Sequence, residues 1–335
     1  MSHILKRLGM MLVVVWLAAT INFILPHLTE RNPVEERLAQ ALSDSGGSTA
    51  GLDELVRQYR QKFGVDQPLW KQYLAMLYDS ARLDLGVSIS YYPDRVAQHV
   101  LQALPWSIGL LGTATLISFA LGTTLGALTV WLRAGHWLNR VVPLLMILSA
   151  IPFYLVGLIL IYVFALILQW FPSGGGVGVG FQPGLNWATI AEIMYHAFLP
   201  AMSIVLAATG IWALSMRGMM VTVQGDDYMN FGRARGLKDW RLFWRYAVRN
   251  AVTPQITTLV LSLSNIVTGA VLVERVFSYP GVGTLLYNSV LLVDYFMIFG
   301  CVLVLIITLG ISLMLLDLLY PLLDPRIRTG ANTNA

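Results

Sequence analysis

Between Gly225 and Pro254 the sequence GDDYMNFGRARGLKDWRLFWRYAVRNAVTP sets nine charged side chains among aromatic and small residues, a dense charge cluster lying between two long apolar runs. Asp226 and Asp227 follow Gly225 where a helix N-terminus favours a cap and negative charge. Tyr228, Phe231 and Ala234 or Arg235 then share one short helical face. Gly236 interrupts that face: glycine costs about 1 kcal/mol in a helix interior but suits a left-handed helix end, so a bend between two helices is predicted there. Past the bend, Trp240, Phe243, Trp244, Ala247 and Val248 line one side, while Lys238, Arg241, Arg245 and Arg249 line the other. Such a helix can rest its aromatic side in a bilayer interface and offer its basic side to lipid phosphate. Spacing leaves two uses open: an interfacial anchor, or a glycine-broken helix pair projecting from the membrane to be gripped by another protein.

The remaining polar residues point to few chemistries. The sequence contains no phosphate-binding P-loop, no H-E-x-x-H and no G-x-S-x-G, so neither self-powered pumping nor a familiar hydrolase site is indicated, and no residue is assigned a catalytic or metal-binding role. The glycine-rich segment Pro172 to Gly184 lacks the Lys-Ser/Thr ending of a nucleotide loop. His99 and His196 are far apart and begin apolar runs, which fits interface residues better than an intramembrane enzyme. Ion-coupled carriers keep ionisable groups near mid-membrane at a cost of roughly 2.5 to 3.5 kcal/mol each. Here Glu192, Glu274 and Arg275 fall at run ends and Asp317 lies near the cytoplasmic exit, so a secondary transporter is the weaker alternative. Ser262, Ser264, Asn265 and Thr268 place polar groups in one apolar run, and facing lipid would be unfavourable for them; they are the candidate pore lining.

The elements that must hold these groups are membrane helices. A mean hydropathy of +0.66 with 56% apolar residues excludes an ordinary soluble domain. A hydrocarbon core roughly 30 Å thick takes about 20 apolar residues per crossing, and backbone groups in lipid must be satisfied within the segment, so the runs are helices. Six fit, over about residues 8–28, 105–132, 138–170, 196–220, 250–274 and 296–320. The first has a basic flank but no small-x-small cleavage site after it, so it is expected to remain as a span. Pro152 is expected to kink the third span. Cys301 is the single cysteine, so an intramolecular disulfide is impossible and a packing role is expected.

With six spans both termini share one side. Placing that side in the cytoplasm gathers 13 of the 22 basic residues there, while eight of the other nine fall in the long segment 29–104, and long translocated segments escape the positive-inside rule. The expected organisation is a first span (1–28), an external subdomain (29–104), a five-helix core (105–320) with a cytoplasmic loop (221–250), and a cytoplasmic tail (321–335). Within the external subdomain, Ser43 to Gly51 is a flexible loop. Leu52, Leu55, Val56, Tyr59 and Phe63, then Trp70, Leu74, Leu77, Tyr78 and Ala81, predict two amphipathic helices.

Five ordered blocks resemble the permease subunits of dipeptide/oligopeptide-type ABC importers, most of all the first of the two permeases. They are FGVDQPLWKQYLAML (Phe63 to Leu77) with LDLGVSIS (Leu83 to Ser90), Asp227-Tyr228 with the Ala234 to Gly236 ARG, RNAVTP (Arg249 to Pro254), VFSYPGVGTLL (Val276 to Leu286) with Asp294-Tyr295, and LLYPLLDPRIR (Leu318 to Arg328). Two departures stand out: Asn230-Phe231-Gly232 occupies the place of the family's Glu-Ala-Ala, and TERNP (Thr29 to Pro33) that of Pro-Gly-Asp-Pro. The resemblance implies an all-α polytopic permease forming half of a pore, with a second homologous permease, two cytosolic ATPase subunits and an external solute-binding protein. It implies that Asp226, Asp227, Tyr228, Phe231, Ala234, Arg235 and Gly236 contact an ATPase as a coupling helix. ATP and Mg would be used by those partners, with no cofactor on this chain. The neutral, hydroxyl-rich candidate lining suits peptides and oligosaccharides alike, and relatives of this class also carry nickel or glutathione.

Overall fold

A computed structural model describes residues 2–27, 67–131, 138–264 and 271–323. Among the described residues the regular structure is helical, and the one extended pairing is an isolated antiparallel bridge between Val87 and Arg95. The helices are α1 (Ser2–His27), α2 (Leu69–Ala81), α3 (Val96–Val130), α4 (Leu138–Ser149), α5 (Phe153–Leu160, running into a π-helical stretch Ile161–Ile167), α6 (Trp187–Gln224) and α7 (Asp227–Ala234). They continue with α8 (Asp239–Arg241, running into a π-helical stretch Leu242–Val248), α9 (Arg249–Ser264), α10 (Val271–Val276), α11 (Val282–Leu291) and α12 (Tyr295–Leu323). Three of them, α3, α6 and α12, are long and apolar enough to cross a bilayer, and shorter apolar helices cover Leu8–Ile24, Phe153–Ile167 and Val282–Leu291. The Ser43 to Gly51 loop, the Leu52 to Phe63 face, Asn265, Thr268 and the tail beyond residue 323 lie outside the described residues, as do the side chains of Ser264 and Asp317.

The chain divides into two compact units. The first comprises Met1–Trp106 and Gly281–Met314. In it α2 leans on α1 through a hydrogen bond between the Thr20 and Tyr73 hydroxyls (2.8 Å) and a tilted Phe23–Tyr73 ring pair. A Cβ at Gly310 would overlap Met11, so the missing side chain is what lets α12 approach α1. The loop from α2 to α3 is tied to the start of α12 by Asp294, which is wholly buried. One carboxylate oxygen accepts from Ser88 Oγ (2.5 Å) and from the Ser90 N–H (2.9 Å); the other accepts from the Met297 N–H (3.1 Å), capping the helix. That accounts for the Asp294-Tyr295 pair: the carboxylate satisfies a helix end and a loop together.

The second unit comprises Ser107–Pro280 and Leu315–Ala335. Its axis is α6, 38 residues and about 57 Å at 1.5 Å per residue, against about 40–45 Å for a whole bilayer with headgroups. The expected span 196–220 is therefore the middle of a longer rod. Side chains at Gly122 and Gly126 would overlap Trp212, Thr209 and Ala213, and one at Gly210 would overlap the Leu145 carbonyl and Ser149, so α3 and α4 close on α6 through glycine. The third run is broken rather than kinked. The helix stops at Ser149, Pro152 adopts φ −54 and ψ 135, and α5 starts afresh at Phe153, because proline offers no N–H to continue the ladder.

Candidate functional site

The cytoplasm-assigned loop begins where α6 ends. The Gly225 and Asp226 N–H groups donate to the Thr222 and Val223 carbonyls, at 3.1 and 3.2 Å, closing the last turn. Asp226 then occupies the N-cap of α7 with extended backbone (φ −70, ψ 146), its side chain making no capping hydrogen bond, while Asp227 puts negative charge in the first turn, favourable to the helix dipole. Both carboxylates are exposed.

Helix α7 is eight residues long, too short to persist in water without packing. Met229 and Gly232 supply it: both are buried, and Met229 joins a core of Ala127, Met216, Met220, Val223, Leu242, Phe243, Ala247 and Ala251. A Cβ at Gly232 would crowd Leu242 and touch Leu237, so this glycine is what lets the following chain fold back on the helix. Gly236 has φ +71; its N–H donates to the Arg233 carbonyl (2.9 Å) and the Leu237 N–H to the Gly232 carbonyl (3.1 Å). These two bonds form a Schellman closure with glycine at its left-handed position, the bend expected from the sequence. Neither Met229 nor Gly232 stood out in the sequence, because one buried methionine and one helical glycine carry no periodic signal.

The site residues fall into two sets. Phe231 is 71% exposed, and Ala234, Arg235 and Gly236 are exposed beside it, leaving an apolar knob among charges at the tip of the bend. Tyr228, paired with Phe231 by periodicity, turns partly inward and packs on the core.

The basic helix keeps Lys238, Arg241, Arg245 and Arg249 all exposed. Its aromatic side is split, however: Phe243 and Ala247 are buried and Val248 half-buried, whereas Trp240 and Trp244 are exposed, at 69% and 44%. The physical reason is the π-helical stretch Leu242–Val248, which spends more residues per turn than the 3.6 assumed from the spacing. It buries Leu242 and Phe243 side by side and holds Trp244 edge-on to Phe243 at 5.1 Å. Trp131, at the end of α3, stacks obliquely on Phe243 at 4.7 Å, and Gln224 Nε2 donates to the Val130 carbonyl at 3.2 Å. The bend therefore stands on a base made from α3, α6 and α9.

Of the candidate pore lining, Ser262 is half-buried on α9. The same helix carries Gln255, which is buried and donates from Nε2 to Ser215 Oγ on α6 at 2.8 Å. That polar pair across two helices was not visible as spacing. At the other end of the unit, Ser107 Oγ donates to the fully buried Glu274 carboxylate at 2.6 Å. Burial, followed by the nearby Glu274 charge, pushes the Tyr279 phenol up to about 12, so Tyr279 is a neutral hydroxyl at physiological pH. His196 is buried with Nδ1 at 3.4 Å from Glu192, and His99 lies 3.2 Å from Asp94, so each histidine has a local partner. Among the described residues no three histidine, cysteine or carboxylate side chains gather where a metal could bind.

The described residues form a helical membrane protein with a packed, glycine-closed knuckle at the end of their longest helix, and sequence comparison places the chain among transport permeases. Residues 118–329 match the family of binding-protein-dependent transport system inner membrane components. The chain is 32% identical to the probable D,D-dipeptide transport system permease protein DdpB of Escherichia coli K12, with 96% of each chain covered. It is 30% identical to a putative peptide permease protein of Brucella suis biovar 1 (98% of each) and 29% identical to the oligopeptide transport system permease protein OppB of Haemophilus influenzae (98% of this chain, 99% of that one). The chain belongs to this family: it is a membrane-embedded permease component of a binding-protein-dependent transport system.

Proposed function

We propose that this chain is one of two homologous permeases in an ATP-driven importer of di- or oligopeptides, and that α7 with its glycine closure is the coupling helix seated on an ATPase subunit. The observation that carries the reading is the knuckle itself: an exposed Phe231 held at a fixed place by buried Met229 and by the Gly236 turn. A short lever transmits force only if its base does not yield, and the base here is a close-packed core of nine residues. The peptide assignment rests on what the relatives are named for.

In this reading six spans cross the inner membrane with both termini in the cytoplasm. Residues 1–28 form the first span, 29–104 face the outside, and 105–320 form the core with the 221–250 loop in the cytosol; 321–335 are the tail. The chain is non-catalytic. Two cytosolic subunits bind ATP and Mg and hydrolyse the nucleotide, and their closure pulls Asp226 to Gly236 so that the helices rock between inward- and outward-facing states. An external solute-binding protein delivers the peptide. Lys238, Arg241, Arg245 and Arg249 hold the lever at the lipid surface, their charge drawn to headgroup phosphate, and Ser262, Ser264, Asn265 and Thr268 line the path.

The test is uptake of a labelled dipeptide into vesicles carrying the complete transporter, its binding protein outside and ATP inside. ATP-dependent uptake that stops when either the ATPase or the binding protein is omitted is the expected result. Uptake by this chain alone, or uptake driven by an ion gradient without ATP, would overturn the proposal.

A further inference from the structure

Two helix ends in the first unit are closed by residues that resist the backbone conformation they hold. At the end of α11 the Val293 N–H donates to the Val290 carbonyl (3.2 Å) and the Asp294 N–H to the Ser289 carbonyl (2.9 Å), a Schellman closure with Val293 in its left-handed position at φ +55. Helix α2 ends in the same way. The Leu83 N–H donates to the Ser80 carbonyl (3.0 Å) and the Asp84 N–H to the Asp79 carbonyl (2.9 Å), with Leu83 at φ +58. Glycine is the usual residue at that position, and a β-branched valine there is an outlier. Packing of their own side chains does not hold these residues in place: Leu83 is 63% exposed and Val293 only half-buried.

Both turns lead within a few residues to one carboxylate. Asp294 follows Val293 directly, and it accepts from Ser88 Oγ and the Ser90 N–H in the loop that follows Leu83. It is wholly buried, and among the described residues no basic side chain pairs with it; a hydroxyl and two backbone amides are its partners. On the α12 side the packing is tight, because Val96, Val100 and Met297 are fully buried and a Cβ at Gly300 would overlap Val96. A buried charge without a counter-ion is unfavourable, and so is the strained backbone beside it. Strain of this kind persists only where the surroundings over-determine it, and it gathers at parts of a protein that switch between two arrangements.

We propose that the corner between α11 and α12 is a strained latch that opens and closes during transport. In the closed state, the one described here, Asp294 holds the loop after α2 against the start of α12 and keeps Val293 left-handed. In the open state the carboxylate releases Ser88 and the Ser90 N–H, and Val293 relaxes to a negative φ. The bond from the Met297 N–H is local to α12 and is kept in both states, so the helix start does not unwind. Relief of strain at Val293 offsets part of the loss of the two Asp294 bonds, which keeps the two states close in free energy. The inference goes beyond the importer reading given above and rests on it only for the ATP that drives the cycle.

The experiment uses the complete transporter in lipid nanodiscs with its binding protein. Nitroxide labels are placed through Tyr92→Cys and Leu291→Cys, both at exposed positions, in a Cys301→Ala background, and their separation is measured without nucleotide and after trapping with MgATP and vanadate. Two separations are expected, in a ratio that changes on trapping. Val293→Gly removes the strain and should shift that ratio about 5- to 30-fold toward the closed separation, raising the melting temperature of the complex while lowering dipeptide uptake. Stability and uptake moving in opposite directions is a result that a merely structural corner would not give. Val293→Asn should do the same by a smaller factor, and Asp294→Asn should shift the ratio the other way. A single separation in a wild-type complex that takes up peptide, or undiminished uptake in Val293→Gly, would overturn the latch and leave the importer reading standing. If the wild-type complex neither hydrolyses ATP nor takes up peptide, the importer reading falls, and the latch with it.

Discussion

Gly236 offers the sharpest test of the lever, because its contribution separates cleanly into backbone and side chain. Its φ of +71 lies where an L residue loses about 1–2 kcal/mol, equivalent to about 5- to 30-fold in the population of the closed turn. No heavy atom stands within 4 Å of the position a Cβ would take, so the size of the new side chain adds nothing within this chain. Gly236→Ala should therefore weaken coupling by up to about 30-fold through the backbone alone. Gly236→Asn should weaken it less, because asparagine visits the left-handed region more readily. Gly236→Pro should abolish it: proline fixes φ near −65° and removes the N–H that donates to the Arg233 carbonyl at 2.9 Å, half of the Schellman closure. The assay is binding-protein-stimulated ATP hydrolysis and dipeptide uptake by the reconstituted complex, with membrane level followed by immunoblot and expected to stay constant across the series. Wild-type coupling in the proline variant would refute the lever. Wild-type coupling in the alanine variant would refute the backbone argument.

Phe231→Asp should leave membrane insertion intact, since the side chain is 71% exposed, yet stop ATP-driven uptake; persistence of coupled uptake would show that the knob makes no partner contact. Replacing Lys238, Arg241, Arg245 and Arg249 together by glutamine should remove any dependence of transport on anionic lipid, measured in vesicles with and without about 30% phosphatidylglycerol, because each basic group near such a surface contributes about 1 kcal/mol. Asp294→Ala should lower the thermal stability of the purified complex, seen as a shift in its melting temperature in detergent. It removes the cap on α12 and strands Ser88 in a buried site, a cost of about 1–3 kcal/mol; Asp294→Asn, which keeps acceptor capacity, should recover part of it.

The sequence by itself determined that the chain is a helical membrane protein, and that its charged insert is two short helices joined at Gly236. The reason is that both signals are local. A run of about 20 apolar residues has one stable form in lipid, and a glycine between two periodic segments has one usual use. Resemblance in five ordered blocks added the family, and whole-length comparison bears it out. What the tertiary structure alone decided depends on neighbours distant in sequence. Pro152 stops a helix rather than bending it; Asp294 ties together segments about 200 residues apart; and α6 extends well past the apolar run that advertised it. The π-helical stretch after Gly236 could not be read from spacing either, because the pattern of charges assumes the regular 3.6-residue turn. Packing of Leu242 and Phe243 into the Met216, Met220 and Met229 core is what accompanies the wider turn, and it sends Tyr228 inward while leaving Phe231 outside. Periodicity can say which residues share a face; which of those faces is covered follows from the packing of other helices against it.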